Sequence, residues 1–364
     1  MSTPANKPLV MKFGGSSLAD AERFKGVASL VRDRSSEGVL VVLSAMSKVT
    51  DGLFACAREA ARGDEATALA GLDALVARHR EVAVALLGPA LPPFVEAALG
   101  SALSELSMLL RGAALLGELP PKSLDILAGR GEILSSTILA ARMGVAWIDA
   151  RKVLRTDSRF GSARPLPNDI RALAAEIILP LLRPGMIAVT QGYIGADATG
   201  AQTTLGRGGS DYSASLLGAA IHASEIQIWT DVEGVLTSDP AIVPGARPVE
   251  VLGYDEAAEL AAFGAKILHP ATIQPAAELA IPVTVRNSLL PEGRFTTISR
   301  EGASGQGVTA LATRGPVTVI TVRTPGMLGG AGFLSRIFEV FGRRGVSVDI
   351  VSTSEVGVSL TVEA

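Results

Sequence analysis

Leu9-Val10-Met11-Lys12-Phe13-Gly14-Gly15-Ser16-Ser17, then a helical pattern opening at Asp20, then Val39-Leu40-Val41-Val42-Leu43: this stretch decides the fold. Leu9 to Phe13 reads as a short buried strand, closed abruptly by Gly-Gly-Ser-Ser. Asp20 is placed to cap a helix that carries Phe24, Val27, Ala28 and Val31 on one face. Val39 to Leu43 is a second buried strand, running into Ser44-Ala45-Met46-Ser47. Strand, helix and strand within about 35 residues make a βαβ unit of a parallel sheet.

Working outward, the Ala- and Leu-rich segment from Leu53 to Leu116 is expected to form several helices beside the sheet. The alternation then resumes, with strands at Val145–Asp149, Met186–Thr190, Glu225–Thr230 and Pro282–Arg286. Helices are expected at Asp169–Leu182, Tyr212–His222, Tyr254–Phe263 and Ala271–Ala280, and a long Gly/Thr-rich loop reaches Gly209. Past a Gly/Ser-rich joint at Glu301–Gly307 the texture changes. Strand Val317–Val322, helix Phe333–Arg343 and strands Val346–Val351 and Gly357–Val362 give the order βαββ, two thirds of a ferredoxin-like βαββαβ unit. The expected domains are therefore 1–304 and 305–364.

The chain has 364 residues and a formal net charge of −3, which argues against a general nucleic-acid binder. Cys56 is the one cysteine, so an internal disulfide and a Cys-only metal site are excluded. The first residues lack the apolar core of a signal peptide. No run approaches ~18 uninterrupted apolar residues, so no membrane span is expected and the cytoplasm is the expected home.

Three segments carry chemistry. At the glycine turn, a strand gives way to a helix, so backbone amides could approach a phosphate closely while Lys12 adds a positive charge. Such a turn alone is more often a structural feature, and it has neither Walker nor dinucleotide spacing. Thr203-Thr204-Leu205-Gly206-Arg207-Gly208-Gly209-Ser210-Asp211-Tyr212 is the densest segment. Its glycines let the backbone fold around a ligand, its guanidinium suits a carboxylate, and Ser210 or Asp211 is placed to cap the next helix. Glu132, in Gly129-Arg130-Gly131-Glu132, is either a first-turn partner of a helix dipole or a ligand. Ser44 and Thr50 bracket the loop after the second strand, at the strand ends where open α/β sheets bind ligands. The Asp residues of Trp229-Thr230-Asp231 and of Thr237-Ser238-Asp239-Pro240 are turn formers or ligands. His79, His222 and His269 are too scattered for a metal site or relay, and no metal site is expected.

These parts suit one kind of reaction. A carboxylate acceptor is already ionised at neutral pH and needs no general base. Its obstacle is repulsion: at 4 Å and an effective dielectric of ~20, each pair of like unit charges costs about 4 kcal/mol. Lys12, Mg²⁺ and the amides of the turn offset that cost while the acceptor is held in line.

Taken together, Lys12 to Ser17, Gly206 to Tyr212, Trp229-Thr230-Asp231 and Phe263-Gly264-Ala265-Lys266-Ile267-Leu268-His269-Pro270 closely resemble the aspartate kinases of the amino acid kinase superfamily, in particular the lysine-sensitive kind. The resemblance covers essentially the whole chain. It implies a three-layer α/β/α amino acid kinase (carbamate kinase-like) domain followed by a partial ferredoxin-like ACT domain. It also implies ATP- and Mg²⁺-dependent phosphorylation of L-aspartate to L-4-aspartyl phosphate, the first step towards lysine, threonine and methionine. By resemblance Lys12 neutralises charge on the transferring phosphoryl and Asp211 organises the centre. Ser44, Thr50, Glu132, Arg207 and Ser210 hold aspartate, with Glu132 on the ammonium and Arg207 on one carboxylate or the other. Lys12, Gly14, Gly15, Ser16, Thr230, Asp231 and Lys266 line the nucleotide site.

There are departures from the family pattern. The turn reads Gly-Gly-Ser-Ser rather than Gly-Gly-Thr-Ser, Leu236 replaces a common Tyr, and Ala241 replaces a common Arg. The last change predicts weaker nucleotide binding unless another residue such as Arg247 compensates. In the C-terminal segment Met327, Val348, Asp349, Ser354 and Glu355 match positions that bind lysine in lysine-sensitive members, although Gly330 replaces a serine. A lysine or threonine effector and a homodimer through the ACT region are implied. With the closing elements missing, weak feedback inhibition and a longer, shortened or bifunctional parent polypeptide are the expectations. The rival reading is an amino-acid sensor with a vestigial kinase lobe.

Overall fold

The structure is a computed structural model that describes residues 7–263, 270–302, 307–313 and 315–363. The chain divides into two compact units, Met1–Leu311 and Ala312–Ala364. The expected boundary at 304/305 lies outside the described residues.

The larger unit opens with the anticipated βαβ: β1 (Leu9–Phe13), α1 (Ala21–Asp33) and β2 (Val39–Leu43). Asp20 caps α1 by accepting from the Arg23 amide, and Phe24, Val27, Ala28 and Val31 are its buried face. Helices α2 (Val49–Ala61), α3 (Glu65–Leu87), α4 (Pro93–Leu116), α5 (Pro121–Ala128) and α6 (Arg130–Met143) follow. Then come β3 (Ala146–Ile148), α7 (Pro167–Ile177), β4 (Ile187–Gln191), β5 (Ile194–Ala196), β6 (Gln202–Thr204), α8 (Gly209–Ala220) and β7 (Ile226–Thr230). The unit closes with β8 (Val251–Gly253), α9 (Tyr254–Ala262), α10 (Pro270–Glu278), β9 (Val283–Asn287) and β10 (Thr296–Ser299).

Eight strands form one sheet in the order β3-β4-β2-β1-β7-β9-β10-β8. Neighbours from β3 to β9 run parallel, whereas β10 is antiparallel to β9. Strand alternation sorts the core into two layers. Leu9, Met11, Phe13, Val39, Val41 and Leu43 join α1–α4 and α6 on one face, whereas Val10, Leu40 and Val42 join α7, α8 and α10 on the other. Lys12 shares the second parity, so its side chain rises on the face that α8 covers.

Several expectations are corrected. The loop before Gly209 contains a hairpin in which β5 pairs antiparallel with β6. The short strands β8 and β10 are additional to those expected, since three and four residues are too few to signal a period. Helix α4 is also long and apolar enough, by length and composition, to cross a membrane. It nevertheless sends Val95, Leu99, Ala102, Leu106, Leu110 and Ala113 into the core at helical spacing.

The smaller unit has β11 (Val317–Arg323), α11 (Phe333–Arg344), β12 (Val351–Ser354) and β13 (Gly357–Glu363), with antiparallel order β11-β13-β12. Its βαββ order is as expected. Strand β12 begins later than the sequence suggests because Asp349 N–H and Ile350 C=O both bond to Thr361. Two residues opposing one make a bulge that ends the regular ladder there. Val358, Leu360 and Val362 form a small core against Ile320, Met327, Ile337, Phe341 and Val348.

Candidate active site

A cleft of about 740 Å³ opens at the carboxyl ends of β1 and β2 and the start of α8. Such strand ends are where open α/β sheets place ligands. Lys12 reaches it from β1, Ser44 and Thr50 from the loop and helix after β2, Glu132 from α6, and Arg207, Ser210 and Asp211 from the entry to α8. Residues scattered through the first 211 positions thus share one cavity.

At its centre Lys12 Nζ lies 2.5 Å from Asp211 Oδ1, with both side chains largely buried. Asp211 Oδ1 finds no well-aligned hydrogen-bond donor, so the contact is a close ion pair rather than a linear hydrogen bond. The expected capping role of Ser210 or Asp211 is overturned. The N-cap is Gly208, left-handed at φ 70°, and no side chain caps α8. The helix therefore starts before Ser210, leaving Asp211 in the first turn, from which its carboxylate meets Lys12.

The glycine turn is built by close approach. A Cβ on Gly15 would stand 2.9 Å from the Ala45 carbonyl oxygen, so the turn packs directly on the loop after β2. Gly15 and Ser16 line the cleft. The Gly14 amide, by contrast, donates to the Trp229 carbonyl and continues the sheet into the turn.

Glu132 is only 3 % exposed, and its Oε2 has no partner. Burial pushes its carboxyl up to about 7, against the opposing influence of the Ala45 and Glu132 amides and the Lys12 charge. A buried acceptor left open beside a cavity suits an arriving ammonium.

Asp125, outside the cleft lining, braces the segments behind it, a role the sequence did not suggest. Its carboxylate accepts from the Gly161 amide and from both the amide and hydroxyl of Thr204, tying α5 to the hairpin that leads to Arg207. Lys48 and Tyr193 also line the cleft unannounced. Both hold positive φ, 64° and 68°, two of the four such non-glycine residues described. Each such conformation costs on the order of 1–3 kcal/mol and is held by its surroundings. Tyr193 is fixed by its amide donating to Ser213 Oγ, which in turn donates to the Gly209 carbonyl. No local sequence pattern announces such positions.

Thr230 and Asp231 do not line the cleft. They follow β7, beside the glycine turn, where the Ser288 amide donates to the Thr230 carbonyl and Ser288 Oγ meets Ser17 Oγ at 2.7 Å. Asp239 accepts from the Ala241 amide, a turn-forming role, and Ala241 and Arg247 are exposed. Lys266 and His269 lie outside the described residues. In the smaller unit Met327 and Val348 pack on its core, while Ser354 and Glu355 are exposed at the turn between β12 and β13.

The family model for the amino acid kinase family matches residues 7–287. Lysine-sensitive aspartokinase 3 of Escherichia coli is 39 % identical over 98 % of this chain and 78 % of its own length. The chain belongs to the amino acid kinase family, in its aspartokinase branch. Aspartokinase 1, chloroplastic, of Arabidopsis thaliana is 38 % identical over 97 % of the chain, which spans 63 % of that relative. Among solved structures, E. coli aspartokinase III in complex with aspartate and ADP (R-state) superposes with a TM-score of 0.87 at 36 % identity. That match covers 98 % of this chain and 79 % of the other. The lysine- and aspartate-bound T-state of the same enzyme gives a TM-score of 0.78 over the same shares.

Proposed function

We propose that this aspartokinase transfers the γ-phosphoryl group of ATP to the side-chain carboxylate of L-aspartate, giving L-4-aspartyl phosphate and ADP. A carboxylate oxygen forms the new bond to phosphorus as the bond to the β-phosphate oxygen breaks, and the electron pair leaves on ADP. No proton moves, so no general base is required. The observation that carries the reading is the convergence of Lys12, Glu132, Arg207 and Asp211 on one cleft beside the glycine turn.

In this reading Glu132 receives the substrate ammonium and Arg207 one of its carboxylates, with Ser44, Thr50 and Ser210 completing the hold. Lys12, kept in place by Asp211, meets the charge of the transferring group, and the free amides of the turn add partial positive charge. Thr230, Asp231 and Lys266 serve the nucleotide side, together with Gly14, Gly15 and Ser16. Among the described residues no three metal-ligating side chains gather. Mg²⁺ fits nonetheless, because it favours phosphate oxygens, water and one or two carboxylates, and Asp211, which lines the cleft, would supply a carboxylate. When bound, it neutralises phosphate charge.

In the smaller unit, Met327, Val348, Asp349, Ser354 and Glu355 are proposed to take an amino-acid effector, lysine or threonine, and the same unit to mediate a homodimer. The E. coli relative's lysine-bound structure supports the first of these. The test of the catalytic reading is ADP release coupled to an indicator enzyme, with aspartate, ATP and Mg²⁺. Turnover with aspartate and not with glutamate is expected. Undiminished turnover in Lys12→Ala, or ATP-independent lysine binding with no ATP binding, would favour the sensor-only reading.

A further inference from the structure

A second cavity, of about 630 Å³, lies on the other side of the first turn of α6 and belongs to no step described above. Five cations line it: Lys122, Arg130, Arg151, Lys152 and Arg155. Among the described residues Glu105 and Asp149 are its only acids, so that lining carries an excess of three positive charges on a chain whose net charge is −3.

The pairing within it is incomplete. Arg151 is held bidentately by Asp149, and Arg130 pairs with Glu105. Lys122, Lys152 and Arg155 have no carboxylate partner among the described residues. Arg155 donates only long hydrogen bonds, at 3.4 and 3.5 Å, to the Arg151 and Asp197 carbonyls. Arg130 is the deepest of the five at 8 % exposure, and its Nε has no partner. A buried guanidinium with an N–H left open is under-compensated, and an anion beside it in the cavity offsets that electrostatically. Thr199 and Gln202 add polar edges from the hairpin.

We propose that this cavity binds a small polyanion carrying at least two phosphate or carboxylate groups. One group meets the Arg130 guanidinium at the base, and a second meets Lys122, Lys152 and Arg155 at the rim. Guanidinium forks favour such planar or tetrahedral oxyanions over halide-like point charges. Because Arg130 and Glu132 stand on the same helical turn, the site lies directly behind the proposed aspartate contact.

Calorimetry on the full chain, without Mg²⁺ and at low ionic strength, tests this with two probes, citrate for carboxylates and pyrophosphate for phosphates. We expect at least one probe to bind, more weakly as salt rises. The exposed double variant Lys122→Glu/Lys152→Glu should weaken it at least about tenfold, roughly 1.4 kcal/mol. Arg207→Ala, in the first cleft, should leave it within about twofold. Binding by citrate alone, pyrophosphate alone or both assigns the group chemistry. No binding by either below about 10 mM, insensitivity to the double variant, or equal loss in Arg207→Ala would overturn the proposal.

Discussion

The proposed substrate side of the first cleft and the segment that follows β7 are built in opposite ways. On the substrate side Lys12, Glu132 and Asp125 are 7 %, 3 % and 2 % exposed, and their partners come from elements distant in the chain. After β7, residues 231–250 run through turns closed by local bonds, such as the Thr237 amide to the Arg247 carbonyl and the Arg247 amide to Thr237 Oγ1. The first region is organised before any ligand arrives, so its charges cost little reorganisation during reaction. In the second, Val235 and Val249 are pinned to Thr296 of β10 while residues 240–245 are exposed, which makes that exposed turn the part that a ligand must order. The comparison predicts that lesions on the substrate side act on chemistry and selectivity, whereas changes after β7 act weakly and on nucleotide affinity alone.

The largest effect should come from Lys12→Ala. It removes the charge nearest the proposed transfer and leaves Asp211 buried without a cation, so kcat should fall about 10³-fold, a magnitude seen when one preorganised stabilising group is lost. Steady-state kinetics with both substrates saturating would measure it, and a loss under tenfold would place the chemistry elsewhere. Arg207→Ala should instead raise the aspartate KM about 10- to 100-fold with a smaller change in kcat, because the proposed bidentate carboxylate contact, made in the ground state, is removed.

A third test uses Glu132, whose carboxyl sits at about 7 through burial. Below that value it is neutral and a poor partner for an ammonium, so the aspartate KM should climb as pH falls from 7, approaching tenfold per pH unit. Glu132→Gln should raise KM at pH 8 and flatten the profile. The same shift has a stability sign. A folded value above the ordinary 4.5 means that the native state holds the proton longer. Stability contributed by the neutral acid is therefore present below pH 4.5 and lost as pH rises through 7, and Glu132→Gln should lessen that decline in chemical denaturation. The smallest effect is expected from Ala241→Arg, which should lower the ATP KM about threefold through one exposed charge and leave aspartate kinetics unchanged. A large gain there would mean that the turns after β7 are as organised as the substrate side.

The two regions also differed in how far they could be read beforehand. The strand–turn–helix around Lys12 was legible because apolar runs, a glycine pair and an Asp cap are local signals. Asp211 was legible as a functional residue but misread as a helix cap, since capping depends on where the helix begins and Gly208 starts it earlier. Asp125, Lys48 and Tyr193 were not legible. Asp125 acts through Thr204 and Gly161, and the other two owe their positive φ to packing that no neighbouring residue encodes.

By itself the chain's order of residues determined the parallel βαβ units, the glycine turn and the βαββ of the smaller unit. These follow from periodicity and backbone preferences that act within one or two turns. Only the tertiary structure decided that Lys12 meets Asp211, that Glu132 is buried with an open oxygen, and that Arg130 faces a second, basic cavity. Charge pairing and desolvation depend on distance through space, and folding sets that distance between residues far apart in the chain.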